Sequence, residues 1–299
     1  MISTVELMDR FQILLEQEVS TYRFVNYLSP AHQLDCFDDS STSTAFDDRD
    51  ARHLSQQKKY WRDKIVAWMY HVVDQHDLDR ELVEISLNYM DRYLAEQSIH
   101  DSSGFQLAGM TSLYLAIKIF RHEGRGASMR FFVKLAEGAY TELDFVDMEQ
   151  SILDTLEWRM HPPTTLAFLD LLLLLLPQGA CDTSFTRHAL YERIKFLLEL
   201  CVTVPFFFTK NPSHNAIAAC IEVMQHEDKP NVPEVKYQKH FKKCIWSICG
   251  IDCESDEVVE CIDAMAIIHK NAWYDLKEEM LQDGGKSPTG SVPAHVAFP

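Results

Sequence analysis

Residues Phe105–Phe120, FQLAGMTSLYLAIKIF, run from Phe105 to Ile117 without a charged side chain and then place a single Lys118. Strand-like alternation is absent. Leu107, Met110, Leu113 and Ile117 fall at helical spacing, while Ala108, Gly109, Ser112 and Ala116 are small enough for neighbouring helices to come close. A helix with no polar face is a buried helix. Its uncharged part is only ~20 Å long at ~1.5 Å per residue, short for a membrane span, and it ends in a lysine. The stretch predicts the central helix of an all-helical domain, with Lys118 at the rim of the core.

The rest of the chain fits around such a helix. Its 299 residues suggest about two domains, and 46% apolar content is ample for a core. Ten glycines suit helices and short turns better than strands. With 45 acidic against 28 basic residues the formal charge is −17. Such a surface is poorly matched to nucleic acid or anionic lipid, so neither is an expected partner, and it favours basic partners. MISTVELMDRF offers no basic and then apolar run, so no secretion signal is expected. The eight cysteines then read as reduced thiols of a cytosolic or nuclear protein.

Taken in order, Val5–Leu28 has a loose helical period that stops at Ser29-Pro30. Cys36–Asp50, CFDDSSTSTAFDDRD, carries five aspartates and one arginine and reads as an acidic linker. Periodicity returns at Tyr60, with Trp61, Ile65, Trp68 and Val72 on one face. Asp77 and Asp79 offer caps to the next helix, Arg80–Leu94. Its two apolar rows, Leu82, Ile85, Tyr89, Tyr93 and Val83, Leu87, Met90, Leu94, predict contact on two sides. After the central helix come short helices near Met129–Leu135 and Leu143–Leu156, and Pro162-Pro163 closes a set of five.

A second set repeats the theme. Thr165–Leu176 is nearly all leucine, but it contains Asp170 and stops at Pro177, too short to cross a membrane. Helices follow near Arg187–Val202, Ser213–Gln225, Pro233–Ile248 and Ser255–Lys270. The third, with Ala216, Ala218, Ala219 and Cys220, is the counterpart of the central helix. The expected organisation is all-α: residues 1–50 as a helix and acidic linker, 51–161 and 162–283 as two five-helix folds, and 284–299 as a disordered tail.

Catalytic patterns fail on their spacing. Gly124-Arg125-Gly126 lacks a third glycine and follows a helix, which is weak for a phosphate loop. Cys244, Cys249, Cys253 and Cys261 invite a metal reading, but no Cys-x-x-Cys occurs, and small core residues are the alternative. The thirteen histidines contain no His-Glu-x-x-His. No enzyme, metal or cofactor is expected.

The first set resembles the cyclin box. WRDKIVAWM, NYMDRYL, FQLAGMTSLYLAIK and YTELDFVDMEQSILDTLEW follow the order and spacing of cyclin motifs from about Trp61 to Phe168, more faintly to Lys270. The five marker residues of cyclin boxes fall on Arg62, Asp91, Leu107, Lys118 and Glu149. RDKIVAWM and NYMDRYL look most like D-type cyclins, and LLEQEVSTYRFVNYL resembles divergent algal, diatom-like ones. The resemblance implies two tandem cyclin folds and a regulatory subunit of a cyclin-dependent Ser/Thr kinase in cell-cycle progression, in nucleus and cytoplasm. A transcriptional cyclin acting on an RNA-polymerase kinase, or a cyclin-fold scaffold without a kinase, are the alternatives.

Several site assignments come with the resemblance. Lys118 and Glu149 are expected to meet the kinase; by residue chemistry alone they could equally bridge two helices at the surface. Arg62 and Asp91, with Leu107, are the box scaffold, the charged pair locking two helices together. Ile119-Phe120-Arg121-His122 follow Lys118 where most cyclins have acidic residues. The resemblance assigns a substrate-docking groove to Trp61, Lys64, Ile65, Trp68, Phe105 and Gln106. Lys64 replaces an aliphatic residue there and His71 a glutamate, so the groove should accept basic peptides poorly. Leu34-Asp35-Cys36-Phe37-Asp38 resembles the Leu-x-Cys-x-Glu motif for retinoblastoma-like pocket proteins, or is a chance match in a polar linker. Ser287-Pro288 resembles a proline-directed phosphodegron read by a ubiquitin-ligase adaptor, or is a common pair in a tail.

Overall fold

The structure, a computed structural model, describes residues 3–37, 48–120, 128–177, 179–180, 184–225 and 233–282. The described residues are helices and turns, without a strand, and they divide into two units.

One unit spans Tyr22–Pro162. Its helices are α2 (Pro30–Phe37), α3 (Asp48–Gln75), α4 (Glu81–Glu96), α5 (Ser102–Ile119), α6 (Met129–Leu135) and α7 (Glu142–Thr155). α5 is the hub, packed against α3, α4, α6 and α7. It starts where Asp101 Oδ1 accepts the Gly104 N–H at 2.7 Å, satisfying a donor the first turn would leave orphaned. Phe105 and all of residues 108–117 are then buried, which is why no polar face was needed. Both apolar rows of α4 are buried as well, since α4 is sandwiched between α5 and other helices. A reciprocal Thr141–Asp144 capping box starts α7. Glu157 and Trp158, both at positive φ, end the turn that follows it.

Gly109 explains how α5 sits so deep. A Cβ there would lie 2.4 Å from Ile65 Cδ1 and 2.8 Å from Ile65 Cγ2 on α3, and 3.2 Å from Met90 Sδ on α4. Gly109→Ala gains about 1 kcal/mol of helix propensity but forces Ile65 aside. Gly109→Val gains only roughly a few tenths of a kcal/mol in propensity, and its two extra methyl groups add overpacking that costs roughly 1–3 kcal/mol. The expected result is a lower melting temperature for Gly109→Val than for Gly109→Ala, read by the helical circular-dichroism signal. Equal melting of both variants and wild type would mean the α3–α5 approach is looser than the geometry requires.

The other unit comprises the described residues of Met1–Thr21 and Pro163–Pro293. It contains α1 (Thr4–Val19), α8 (Thr165–Leu174), α9 (Ser184–Val202), α10 (Pro205–Phe208), α11 (Pro212–Gln225), α12 (Val235–Cys249) and α13 (Asp256–Gln282). α11 is its hub, packed on α8, α9 and α13 and buried from Asn215 to Met224. Arg187 finishes α8 by donating to the carbonyl oxygens of Leu173, 2.8 Å, and Leu176, 3.2 Å. No helix among the described residues is long and apolar enough to cross a membrane.

Four expectations change. Residues 1–50 are not one segment: α1 packs on α8 and α12 through Leu7 and Phe11, while residues from Tyr22 onward belong to the other unit. A buried carboxylate fastens α1, because Glu18 accepts from the Ser213 N–H at 3.0 Å and the Ser213 hydroxyl at 2.6 Å at the start of α11. The helix expected over Val5–Leu28 ends at Val19, since Tyr27 and Leu28 are buried in the other core as non-helical chain. α3 begins at Asp48, three turns before the apolar period is visible, so the acidic run is partly helical. Pro30 opens α2 rather than stopping a helix, as a residue lacking an N–H can in a first turn.

Candidate functional site

The two charged pairs lie in the first-described unit and differ in kind. Arg62 on α3 is 1% exposed. Its Nε donates to Asp91 Oδ1 at 3.1 Å and its Nη2 to Asp91 Oδ2 at 2.8 Å, a two-pronged bond to α4. The Tyr27 hydroxyl donates to the same Oδ1 at 2.9 Å. Burial alone would lower the Arg62 pKa, but the Asp91 carboxylate more than offsets this and the net direction is up. Burial, with Asp91 adding to it, drives the Tyr27 phenol well up, so it stays a donor.

Nothing in the local sequence singles out Tyr27, which falls inside the helical period expected over Val5–Leu28. Around it, Gln33 Nε2 donates to the Tyr27 carbonyl oxygen and Ser55 Oγ to that of Leu28. His32 Nε2 lies 3.1 Å from the Ala95 carbonyl oxygen. The segment before α3 is thereby tied to α3 and α4.

Lys118 and Glu149 also meet: Nζ lies 2.7 Å from Oε1, joining the end of α5 to α7. The Lys118 side chain is 53% exposed and that of Glu149 13%. The hydrogen bond to Glu149 raises the lysine pKa, so it remains an ammonium. On α7 the neighbouring Leu143 and Val146 are exposed, 67% and 45%. The edge therefore offers an ammonium, a carboxylate with free lone pairs and two aliphatic side chains. Leu107, in the second turn of α5, is half-exposed rather than buried. Residues 121–122, in the departure after Lys118, lie outside the described residues.

Five of the six groove residues line one cavity of about 130 Å³: Trp61, Lys64 and Ile65 from α3, Phe105 and Gln106 from α5. Tyr60 and Ser102 complete it. The Trp61 and Phe105 rings stand 5.6 Å apart at 56°. Lys64 Nζ lies 5.3 Å above the Tyr60 ring, and the Tyr140 hydroxyl sits 3.2 Å from Gln106 Oε1. Trp68 is elsewhere, edge-on to Phe132 of α6 at 6.5 Å, because it lies nearly two turns beyond Trp61. His71 is exposed on α3 and does not line the cavity.

Leu34 and Cys36 fall within α2, so the pocket-protein motif begins in a helix instead of an extended linker. Asp38, the linker tip and Ser287 lie outside the described residues. Cys253 and Cys261 are buried in the core of the other unit, with Cys244 and Cys249 packed against it. Burial pushes the Cys249 thiol up to about 12 and those of Cys253 and Cys261 to about 11, so they are protonated core residues at neutral pH.

Comparison with known proteins agrees with this architecture. Residues 36–161 match the family model "Cyclin, N-terminal domain". The chain is 27% identical over 209 residues to G2/mitotic-specific cyclin-2 of Medicago sativa, covering 70% of this chain and 57% of the relative. It is 30% identical over 179 residues to G2/mitotic-specific cyclin-B of Hydra vulgaris, covering 60% and 46%. Against G1/S-specific cyclin-E1 of Danio rerio the identity is 29% over 154 residues, covering 50% and 37%. The chain thus spans about half the length of these curated relatives. In fold it is similar to a viral cyclin from herpesvirus saimiri, with TM-score 0.57 and 16% identity over 88% of this chain and 96% of that one. A chain of the CAK complex of Chaetomium thermophilum bound to ATP-gamma-S is similar with TM-score 0.51 and 14% identity, covering 90% and 75%. The class is an all-α protein with cyclin-fold neighbours. Residues 36–161 are thus similar to the cyclin N-terminal domain, and the described helices are similar in fold to a cyclin.

Proposed function

We propose that the chain is the non-catalytic regulatory subunit of a cyclin-dependent Ser/Thr kinase and acts in cell-cycle progression. The observation that carries this is the Lys118–Glu149 pair at 2.7 Å, poised at an exposed edge beside Leu143 and Val146. Lys118 would donate to backbone carbonyls of the kinase's mobile helix, and Glu149 would accept from its N–H groups. Holding that helix inward lets the kinase form its own lysine–glutamate ion pair and order its activation segment. Burial at the interface supplies the differential free energy between the two kinase states. Affinity capture with the full chain from cycling cells, followed by a kinase assay on the captured fraction, tests the reading. A cyclin-dependent kinase whose activity requires the chain is the expected result; capture of no kinase supports the scaffold alternative.

Within the family we read the chain as nearest D-type cyclins, on RDKIVAWM and NYMDRYL, and its N-terminal stretch as nearest algal ones. The relatives reported above carry G2/mitotic and G1/S names, which supports the cell-cycle role over the transcriptional one. Residence in nucleus and cytoplasm belongs to the same reading. So do two further partners: a retinoblastoma-like protein at Leu34, Cys36 and Asp38, for which the end of α2 would unwind, and a ubiquitin-ligase adaptor at phosphorylated Ser287.

The cavity of α3 and α5 is read as the substrate-docking groove. Lys64 puts a positive charge on its wall, so Arg-x-Leu peptides should bind weakly. Lys64→Ile removes a like charge worth about 1 kcal/mol, a gain of roughly fivefold. His71→Glu should add little, because His71 lies outside the lining. Fluorescence-anisotropy titration decides it; tight wild-type binding unchanged by Lys64→Ile would refute the groove assignment.

A further inference from the structure

α12 stands out in a chain of charge −17. Its sequence, VKYQKHFKKCIWSIC, holds four lysines and no acidic residue. Phe241 and Ile245 turn inward and are buried, while Lys236, Lys239, His240, Lys243 and Trp246 are exposed. At 100° per residue these five occupy about a third of the helix circumference, one stripe. Trp246, 61% exposed, closes the stripe at its C-terminal end. Lys236 is engaged locally, 2.9 Å from Glu234 Oε2 and 4.7 Å above the Tyr237 ring. Among the described residues no carboxylate pairs with Lys239 or Lys243.

We propose that this face of α12 is a docking surface for a short carboxylate-rich peptide segment of a partner protein. Charge complementarity selects the occupant. From Lys236 to Trp246 the stripe runs ~15 Å, the length of about four to five extended residues. A longer polyanion such as nucleic acid would run off it onto an acidic surface. Anionic lipid is disfavoured for another reason: the apolar side of α12 is spent on the core, and the exposed Trp246 and Val235 at its two ends do not make a continuous apolar face to insert. A phosphopeptide is the poorer match because α12 has no arginine, and one phosphate is best gripped by a guanidinium fork. Lysines four residues apart are point charges ~6 Å from each other, close to the spacing of alternate side chains on an extended peptide. Trp246 supplies an aromatic anchor for an apolar residue at the peptide's end.

The test uses the full chain and a fluorescein-labelled octapeptide alternating Glu with Ser and ending in Leu. Its Glu→Gln counterpart, a singly phosphorylated Ser peptide without Glu, and phosphatidylserine vesicles are run beside it. The expected result is saturable, salt-sensitive anisotropy with the Glu peptide only. Lys239→Glu with Lys243→Glu should weaken it roughly tenfold or more, and Trp246→Ala should weaken it by a smaller factor with the salt dependence kept. Circular dichroism checks that the double variant is folded; if it is not, Lys243→Gln decides, with a loss of about threefold. No saturable binding, equal binding of the Gln peptide, or indifference to these substitutions overturns the proposal. Tighter binding of the phosphopeptide or the vesicles overturns it equally.

Discussion

Lys118→Glu should abolish kinase activation while leaving the chain folded, and the reason is a difference in magnitude between two settings of one ion pair. In the free chain the Lys118 side chain is half-exposed, and a pair of that kind is worth about 0–1 kcal/mol. The reversal adds a carboxylate beside Glu149, yet water screens most of the repulsion. Against a kinase the same atoms would be desolvated and hydrogen-bonded to backbone. Losing one partner there costs about 2–5 kcal/mol, thirtyfold or more in affinity. Glu149→Lys should behave alike. The double swap, Lys118→Glu with Glu149→Lys, is the more telling variant. It restores the ion pair within the chain but presents reversed polarity to the partner, so stability should recover while activation does not. Thermal melting and a histone-type kinase assay on the three variants read both quantities. Full activity in either single variant would remove the pair from the interface.

Arg62→Ala has the opposite signature, a large loss of stability that needs no partner to be seen. It strands the Asp91 carboxylate, 5% exposed, with Tyr27 as its remaining side-chain donor. Breaking a buried pair on one side costs about 3–5 kcal/mol. At about 2–4 °C per kcal/mol for a unit of this size, the melting temperature should fall by roughly 6–20 °C. Removing both charges, Arg62→Leu with Asp91→Leu, should cost less than Arg62→Ala, because no orphaned charge is left behind. Tyr27→Phe should fall between wild type and Arg62→Ala. A melting temperature unmoved by Arg62→Ala would mean that the pair does not hold α3 to α4.

What the sequence by itself determined was the set of elements whose burial is written in their own composition. An uncharged stretch such as Phe105–Ile117 has one stable fate in water, the interior of other helices, and Ala216–Cys220 has the same. The two apolar rows of α4 required neighbours on both sides whatever those neighbours were. Five residues resemble a family pattern at once, and of these the structure brings Arg62 to Asp91 and Lys118 to Glu149. Tertiary structure alone decided what depends on a distant partner. α1 looks like a free amphipathic helix until α8, α12 and the α11 terminus supply surfaces for Leu7, Phe11 and Glu18. Tyr27 carries no local sign that its hydroxyl will reach a carboxylate 64 positions away. The polar first turns of α3 have too little apolar period to announce a helix, and packing against α2 stabilises them. Trp68 and His71 lie on the same face of α3 as Trp61 and Lys64, yet seven residues carry them ~10 Å along the axis, past the cavity, to where Trp68 meets Phe132 of α6. Local pattern reports how much of a segment must be buried; only the assembled helices determine against what.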